Sequence, residues 1–155
     1  MIKKYWLLFS VIIFTLASCG KKDNFDPIKQ AADDEAAIQA FIKANNLTNV
    51  TRHTSGLYYQ IVTPGTGAYP TVNSTVTVTY SGKLLNGGVF DAQSGIKFAL
   101  SGVIQGWQIG IPLINSGGRI RLLIPSGLAY GNRSPDAKLP ANSVLDFTID
   151  LLSFN

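Results

Sequence analysis

Within the segment Val144 to Phe154, an apolar residue stands at every second position from Leu145 to Leu151, with Leu145, Phe147, Ile149 and Leu151 on one parity and Asp146, Thr148 and Asp150 on the other. A period of two places successive side chains on opposite faces of a strand and is incompatible with the 3.6-residue period of a helix. The pattern recurs. Val76, Val78, Tyr80 and Leu84 alternate with Thr75, Thr77, Thr79, Ser81 and Lys83, while Leu57, Tyr59 and Ile61 alternate with Tyr58, Gln60 and Val62 up to the Pro64-Gly65 turn signal. Arg119 to Ile124 and Ile96 to Leu100 supply further short strands, and Asn86-Gly87-Gly88 permits the positive φ of a hairpin turn before Phe90. Half-buried strands need a second layer over their apolar face. The segment Val103 to Ile114 supplies it, because Val103, Ile104, Trp107 and Ile111 fall three and four residues apart on one helix face, while Gly106, Gly110 and Pro112 keep that helix short. The expected class is α+β, with a curved antiparallel β-sheet wrapped around one short α-helix.

A second, N-terminal helix precedes the sheet. Ile38, Phe41 and Ile42 recur at helical spacing between about Asp33 and Asn45, and Asp33, Asp34 and Glu35 suit the positive end of a helix dipole. Its apolar stripe docks either on the following domain or on a second copy. Gly20 to Asp33 is polar and reads as a tether. Ahead of it, Lys3 and Lys4 lead into an apolar run from Tyr5 to Ala17, which is the layout of a secretory signal and too short to span a bilayer comfortably. The run closes on Leu16-Ala17-Ser18-Cys19, which resembles the bacterial lipobox. That resemblance implies cleavage before Cys19 and lipidation of its thiol, and a diacylglyceryl plus an N-acyl chain is a stable anchor. The alternatives are an ordinary cleaved signal with a chance cysteine, or a short buried helix. The expected organisation is therefore a lipoprotein signal at 1–18, a tether at 19–33, the helix and its connection at 34–55, and a β-rich domain at 56–155. The expected location is the bacterial cell envelope, lipid-anchored, with Gly20 rather than an aspartate after Cys19 favouring the outer membrane facing the periplasm.

Several function classes fall away on composition. Cys19 is the single cysteine and His53 the single histidine, so neither a disulfide framework nor a His/Cys metal site is expected. No Gly-x-Ser-x-Gly elbow is followed by a suitable histidine, and no glycine-rich phosphate loop is present. Removing Lys3 and Lys4 with the signal leaves eleven basic side chains against nine acidic ones, scattered rather than striped, which speaks against nucleic acid as a partner.

What remains is a set of aromatic and aliphatic residues in four ordered blocks: Thr77-Val78-Thr79-Tyr80-Ser81-Gly82, Val89-Phe90-Asp91, Val103-Ile104-Gln105-Gly106-Trp107, and Ile124-Pro125-Ser126-Gly127-Leu128-Ala129-Tyr130-Gly131. Each residue alone reads as core or turn, since large aromatics are normally buried and aspartates favour turns. Together the blocks resemble the successive signatures of FKBP-type peptidyl-prolyl cis/trans isomerases, over about Gly56 to Phe154. The resemblance implies a pocket in which the substrate proline sits on Trp107, lined by Phe90, Ile96, Val103, Ile104, Leu139 and Phe147. It also implies Tyr80, Asp91 and Tyr130 as the catalytic set, with the Tyr130 hydroxyl and a backbone N–H in the Leu139 segment holding the substrate carbonyls and Asp91 either orienting the pocket or polarising the carbonyl. No cofactor or metal is needed. The partners implied are proline-containing unfolded or exported polypeptides, the membrane through the lipid, and a macrolide as a further candidate ligand.

Two departures from the family pattern stand out. Ile96 occupies a position where many members place a pocket-lining Phe, which implies a wider, less aromatic pocket. The run from Phe98 to Ile104 is about two residues tighter than in the cytosolic small members and similar to exported bacterial members of the macrophage-infectivity-potentiator kind. Two rival functions keep some of these features: a chaperone-like holder that binds without isomerising, and a structural envelope lipoprotein. Intact Tyr80, Asp91, Trp107, Tyr130 and Phe147 favour the isomerase over both.

Overall fold

The computed structural model describes residues 25–155. The signal segment and Cys19 lie outside the described residues. Six strands form one antiparallel sheet: β1 (Thr51–Arg52), β2 (Tyr58–Thr63), β3 (Thr75–Leu84), β4 (Val89–Ala99), β5 (Arg119–Ile124) and β6 (Leu145–Phe154). Their spatial order is β1-β2-β5-β6-β3-β4, so the strand of cleanest alternation, β6, lies between β5 and β3 in the interior of the sheet. The register sets Gly82 opposite Phe147, Tyr80 opposite Ile149, and Leu122 opposite Phe147. Residues of one parity on β3, β5 and β6 thereby share the concave face. There Val76, Val78, Ile120, Leu122, Leu145, Phe147, Ile149 and Leu151 are buried around Trp107 and Ile111. The α+β class and the curved sheet around a short helix are as expected.

That short helix, α2 (Gln105–Gly110), is followed by a 3₁₀ turn at Ile111–Leu113, so the continuous helical stretch expected from Val103 to Ile114 is one tight segment with a bent exit. Gly106 and Gly110 do more than shorten it. A Cβ on Gly106 would come within 2.5 Å of Ile124, and one on Gly110 within 2.6 Å of Leu122. The glycines let the helix backbone settle directly onto β5. Ile96 belongs to the continuous eleven-residue β4 rather than to a separate strand, because the hairpin ladder with β3 runs unbroken past it, shifted by bulges near Val78–Tyr80 and Gly82–Lys83.

The N-terminal helix α1 spans Pro27–Ala44, six residues longer at its start than the sequence pattern indicates. Residues 27–33, read above as tether, are helical. The start signal is Asp26-Pro27: the Asp26 carboxylate accepts hydrogen bonds from the backbone N–H groups of Ile28 (2.9 Å) and Lys29 (3.1 Å), and Pro27 occupies the first turn, where its missing N–H costs nothing. Asp33, Asp34 and Glu35 then fall in the helix interior, where Asp33 pairs with Lys29 at i,i+4. The apolar stripe docks within the chain: Ile38 is fully buried with Tyr58, Leu123 and Val144 on the convex face of the sheet, flanked by Phe41 and Ile42. Arg121 and Asp146 form a two-pronged ion pair beside this cluster, with the Arg121 guanidinium 5.5 Å from the centre of the Phe41 ring. Two helices therefore sandwich one sheet, α2 inside the curve and α1 outside it.

Candidate active site

The floor of the site is built by α2. Trp107 is 4% exposed and meets three rings edge-to-face: Tyr80 at 5.0 Å, Phe147 at 5.2 Å and Phe98 at 5.8 Å between centroids. Edge-to-face contact sets the positive rim of one ring on the negative face of another, so each neighbour restrains the indole. Its Nε1 is buried without a hydrogen-bond partner among the described residues, so packing alone holds the ring.

Above this floor opens a cavity of about 300 Å³, lined by Tyr80, Asp91, Phe98, Gly102, Val103, Ile104, Trp107, Tyr130 and Phe147. Alternation on β3 turns Tyr80 inward, β6 supplies Phe147, β4 supplies Phe98 and Asp91, and the turn before α2 supplies Val103 and Ile104. The long connection between β5 and β6 brings Tyr130 to the rim, 40% exposed, and no hydrogen bond ties up its hydroxyl among the described residues. Among the described residues Asp91 is the only carboxylate on the lining. Its Oδ2 accepts the Tyr80 hydroxyl at 2.5 Å. Burial, reinforced by that hydrogen bond, pushes the Tyr80 phenol far above its ordinary range, so Tyr80 stays protonated and donating. Burial also raises the Tyr130 phenol, with the Asp91 charge adding to the effect. Both phenols are therefore donors at any ordinary pH.

Seven of the ten expected pocket residues meet here: Tyr80, Asp91, Val103, Ile104, Trp107, Tyr130 and Phe147. Three do not reach the lining. Phe90 lies behind Phe147, edge-to-face at 5.5 Å. Leu139 is buried in the core, and its own N–H is given to the Asp136 carbonyl at 3.1 Å. Ile96 pairs with Val78 across the hairpin and packs against the core. The aromatic wall that Ile96 was expected to lack is supplied two residues further on by Phe98, whose ring lies 6.1 Å from Tyr80 as well as against Trp107. The ring wall around Trp107 is thus completed by Phe98, beside the aliphatic edge of Val103 and Ile104. Phe98 was missed, although residues 96 and 98 share a strand face and period-two reasoning admits either. Gly82 was quoted only as part of a motif, yet a Cβ there would fall 2.6 Å from Phe147 and 2.8 Å from Phe90. Its bare backbone leaves room for those two rings to meet edge-to-face.

Comparison with known proteins identifies the family. Residues 67–152 match the family described as FKBP-type peptidyl-prolyl cis-trans isomerase. The chain is 38% identical over 130 residues to the outer membrane protein MIP of Legionella longbeachae, an alignment covering 81% of this chain and 56% of that protein. It is 40% identical over 129 residues to the FKBP-type peptidyl-prolyl cis-trans isomerase FkpA of Escherichia coli K12, covering 80% and 47% respectively. The chain therefore spans about half the length of the curated relatives it matches. Among solved structures, that of FkpA from E. coli superposes with a TM-score of 0.71 at 38% identity, covering 83% of this chain and 62% of that one. A peptidyl-prolyl cis-trans isomerase from Pseudomonas syringae superposes with a TM-score of 0.70 at 30% identity, covering 84% of this chain and 98% of that one. With the family model matching more than half the chain, and the FkpA structure sharing its fold at 38% identity, this chain belongs to the FKBP-type peptidyl-prolyl cis-trans isomerase family.

Proposed function

We propose that the chain isomerises X-Pro peptide bonds of exported or envelope polypeptides and so assists their folding, held at the bacterial envelope by a lipid on Cys19. The observation that carries this reading is the walled aromatic floor: Trp107 ringed by Tyr80, Phe98 and Phe147, with one carboxylate at the edge.

The chemistry required is modest. An X-Pro bond resists rotation by ~18 to 20 kcal/mol because resonance keeps it planar, and no covalent bond must break for it to turn. Rotation removes the double-bond character and with it much of the charge separation of the amide. A cavity that excludes water destabilises the planar, dipolar form relative to the twisted one, which lowers the barrier without acid, base or nucleophile. The proline ring would rest on Trp107 between Phe98, Phe147 and the aliphatic edge at Val103 and Ile104. Tyr130, protonated and unpaired, would donate to a substrate carbonyl while the bond turns. Asp91 takes its place in this scheme through Tyr80, whose hydroxyl it holds so that the ring stands as a fixed wall. The same cavity would admit the apolar part of a macrolide.

The envelope assignment rests on the lipobox-like Leu16-Ala17-Ser18-Cys19, and one relative is named an outer membrane protein. No helix of the described residues is long and apolar enough to cross a membrane.

The test is the rate of cis/trans exchange in a proline tetrapeptide with the full chain in detergent. Trp107→Ala is expected to lower kcat/KM by about tenfold or more, while Arg133→Ala, an exposed position off the cavity lining, leaves it unchanged. Equal losses in the two variants, after correction for folded fraction, would remove the cavity from the mechanism.

A further inference from the structure

Outside the cavity, a buried carboxylate on α1 reaches into the loop that carries Tyr130. Asp34 is 3% exposed, and its Oδ2 accepts two hydrogen bonds from Ser126: the backbone N–H at 2.8 Å and the hydroxyl at 2.7 Å. Its other oxygen accepts the Gln30 side-chain amide at 2.8 Å. Ser126 is itself buried and opens the 3₁₀ turn Ser126–Leu128. The carbonyl of the same residue accepts the N–H groups of Ala129 (3.0 Å) and Gly131 (2.8 Å), the two neighbours of Tyr130. One residue is thus held through its N–H and hydroxyl by the helix and holds through its C=O both sides of the rim tyrosine.

A buried carboxylate needs its full complement of donors, and buried donors need their acceptor, so neither Asp34 nor Ser126 can let go without leaving polar atoms stranded. The linkage joins residues 92 positions apart. It is also the contact between α1 and the Ser126 turn, alongside a cleft of about 500 Å³ lined in part by Pro27, Ala31 and Leu128. Other α1 contacts, such as Glu35 with Arg52 and Tyr58, serve docking on the sheet and do not touch this loop.

We propose that Asp34 is a positioning residue for the isomerase site: α1 sets the placement of Tyr130 through Ser126, so the helix outside the sheet governs substrate capture inside it. This rests on the isomerase reading above for its kinetic consequence, and on the hydrogen-bond geometry alone for its structural one.

The experiment measures two things on the full chain, proline-tetrapeptide isomerisation and amide hydrogen exchange at Gly131. Asp34→Ala is expected to lower kcat/KM about fivefold, mainly by raising KM, because Tyr130 holds the substrate rather than turning the bond. Protection of the Gly131 N–H should fall about tenfold. Asp34→Asn, which keeps an acceptor for Ser126, should recover most of both, and Glu35→Gln should change neither. In a Tyr130→Ala background, Asp34→Ala should alter kcat/KM by less than about twofold, since the residue it acts through is gone. Ser126→Ala, which removes one of the two donors, gives a graded version should Asp34→Ala not fold. Unchanged Gly131 protection in Asp34→Ala or Ser126→Ala overturns the proposal, as does a full-sized kinetic loss in the Tyr130→Ala background. Should the unaltered chain show no isomerase activity, the function fails separately, and Gly131 protection still decides whether α1 orders the loop.

Discussion

At the scale of single residues, the site depends on which of two side chains on one strand face turns into the cavity. Ile96 and Phe98 share a parity on β4, and Phe98 meets both Tyr80 and Trp107. Phe98→Ala is therefore expected to reduce kcat/KM about fivefold, while Ile96→Ala acts mainly on stability, by about 2 kcal/mol or less at its half-buried position. Kinetics and denaturant unfolding on both variants separate the two effects, and a larger kinetic loss for Ile96→Ala would restore Ile96 to the lining. The motif residues that were legible in the sequence are those whose neighbours restrict them: Trp107 in its helical spacing, Tyr80 in its alternation, Asp91 beside the hairpin turn. Phe98 was not, because the bulges in the β3–β4 ladder decide how the far end of β4 meets the sheet. Leu139 failed for a related reason. It sits in an irregular loop with no period to orient it, and only the bond from its N–H to Asp136 shows which way the segment faces.

At the scale of elements, α1 is held by three unlike attachments: the apolar contact of Ile38, the Asp34–Ser126 bonds, and Glu35 with Tyr58 and Arg52. The third depends on pH. The Tyr58 hydroxyl bond, with Arg52 assisting, holds the Glu35 carboxyl below its usual value of 4.5. A carboxyl lowered on folding contributes stability that is complete above its unfolded value and is lost as pH falls through the folded one. Acidification from pH 6 towards pH 3 is thus expected to lower the melting temperature of the unaltered chain more than that of Glu35→Gln, the difference between them shrinking as the carboxyl protonates. Parallel melting curves would mean that Glu35 does not couple to docking. The strands were legible because alternation persists over many residues. The start of α1 was not, because Asp26-Pro27 lies in a polar stretch where a capping signal has no apolar period beside it, and the acidic run at 33–35 invites a later start.

At the scale of the whole molecule, a compact unit of one sheet and two helices would hang from the membrane by the short stretch ahead of Pro27. Cys19→Ala is expected to move the protein from the membrane fraction to the soluble one with its melting temperature unchanged, since the described fold uses no thiol. Unaltered membrane fractionation of that variant would refute the lipid anchor. The sandwiching of one sheet between two helices has a consequence for how the chain finds its fold. On β5, Ile120, Leu122 and Ile124 face α2, whereas Leu123 faces α1 and Arg121 pairs with Asp146 beside it. Slipping β5 by a single residue against its neighbours would exchange the two sets. Arg119 and Arg121 would be driven among the rings of the cavity floor, and Leu122 would be left where an ion pair now stands. Misalignment is thus penalised on both sides of the sheet at once, so β5 acts as a proofreader for the strand pairing on which every wall of the cavity depends.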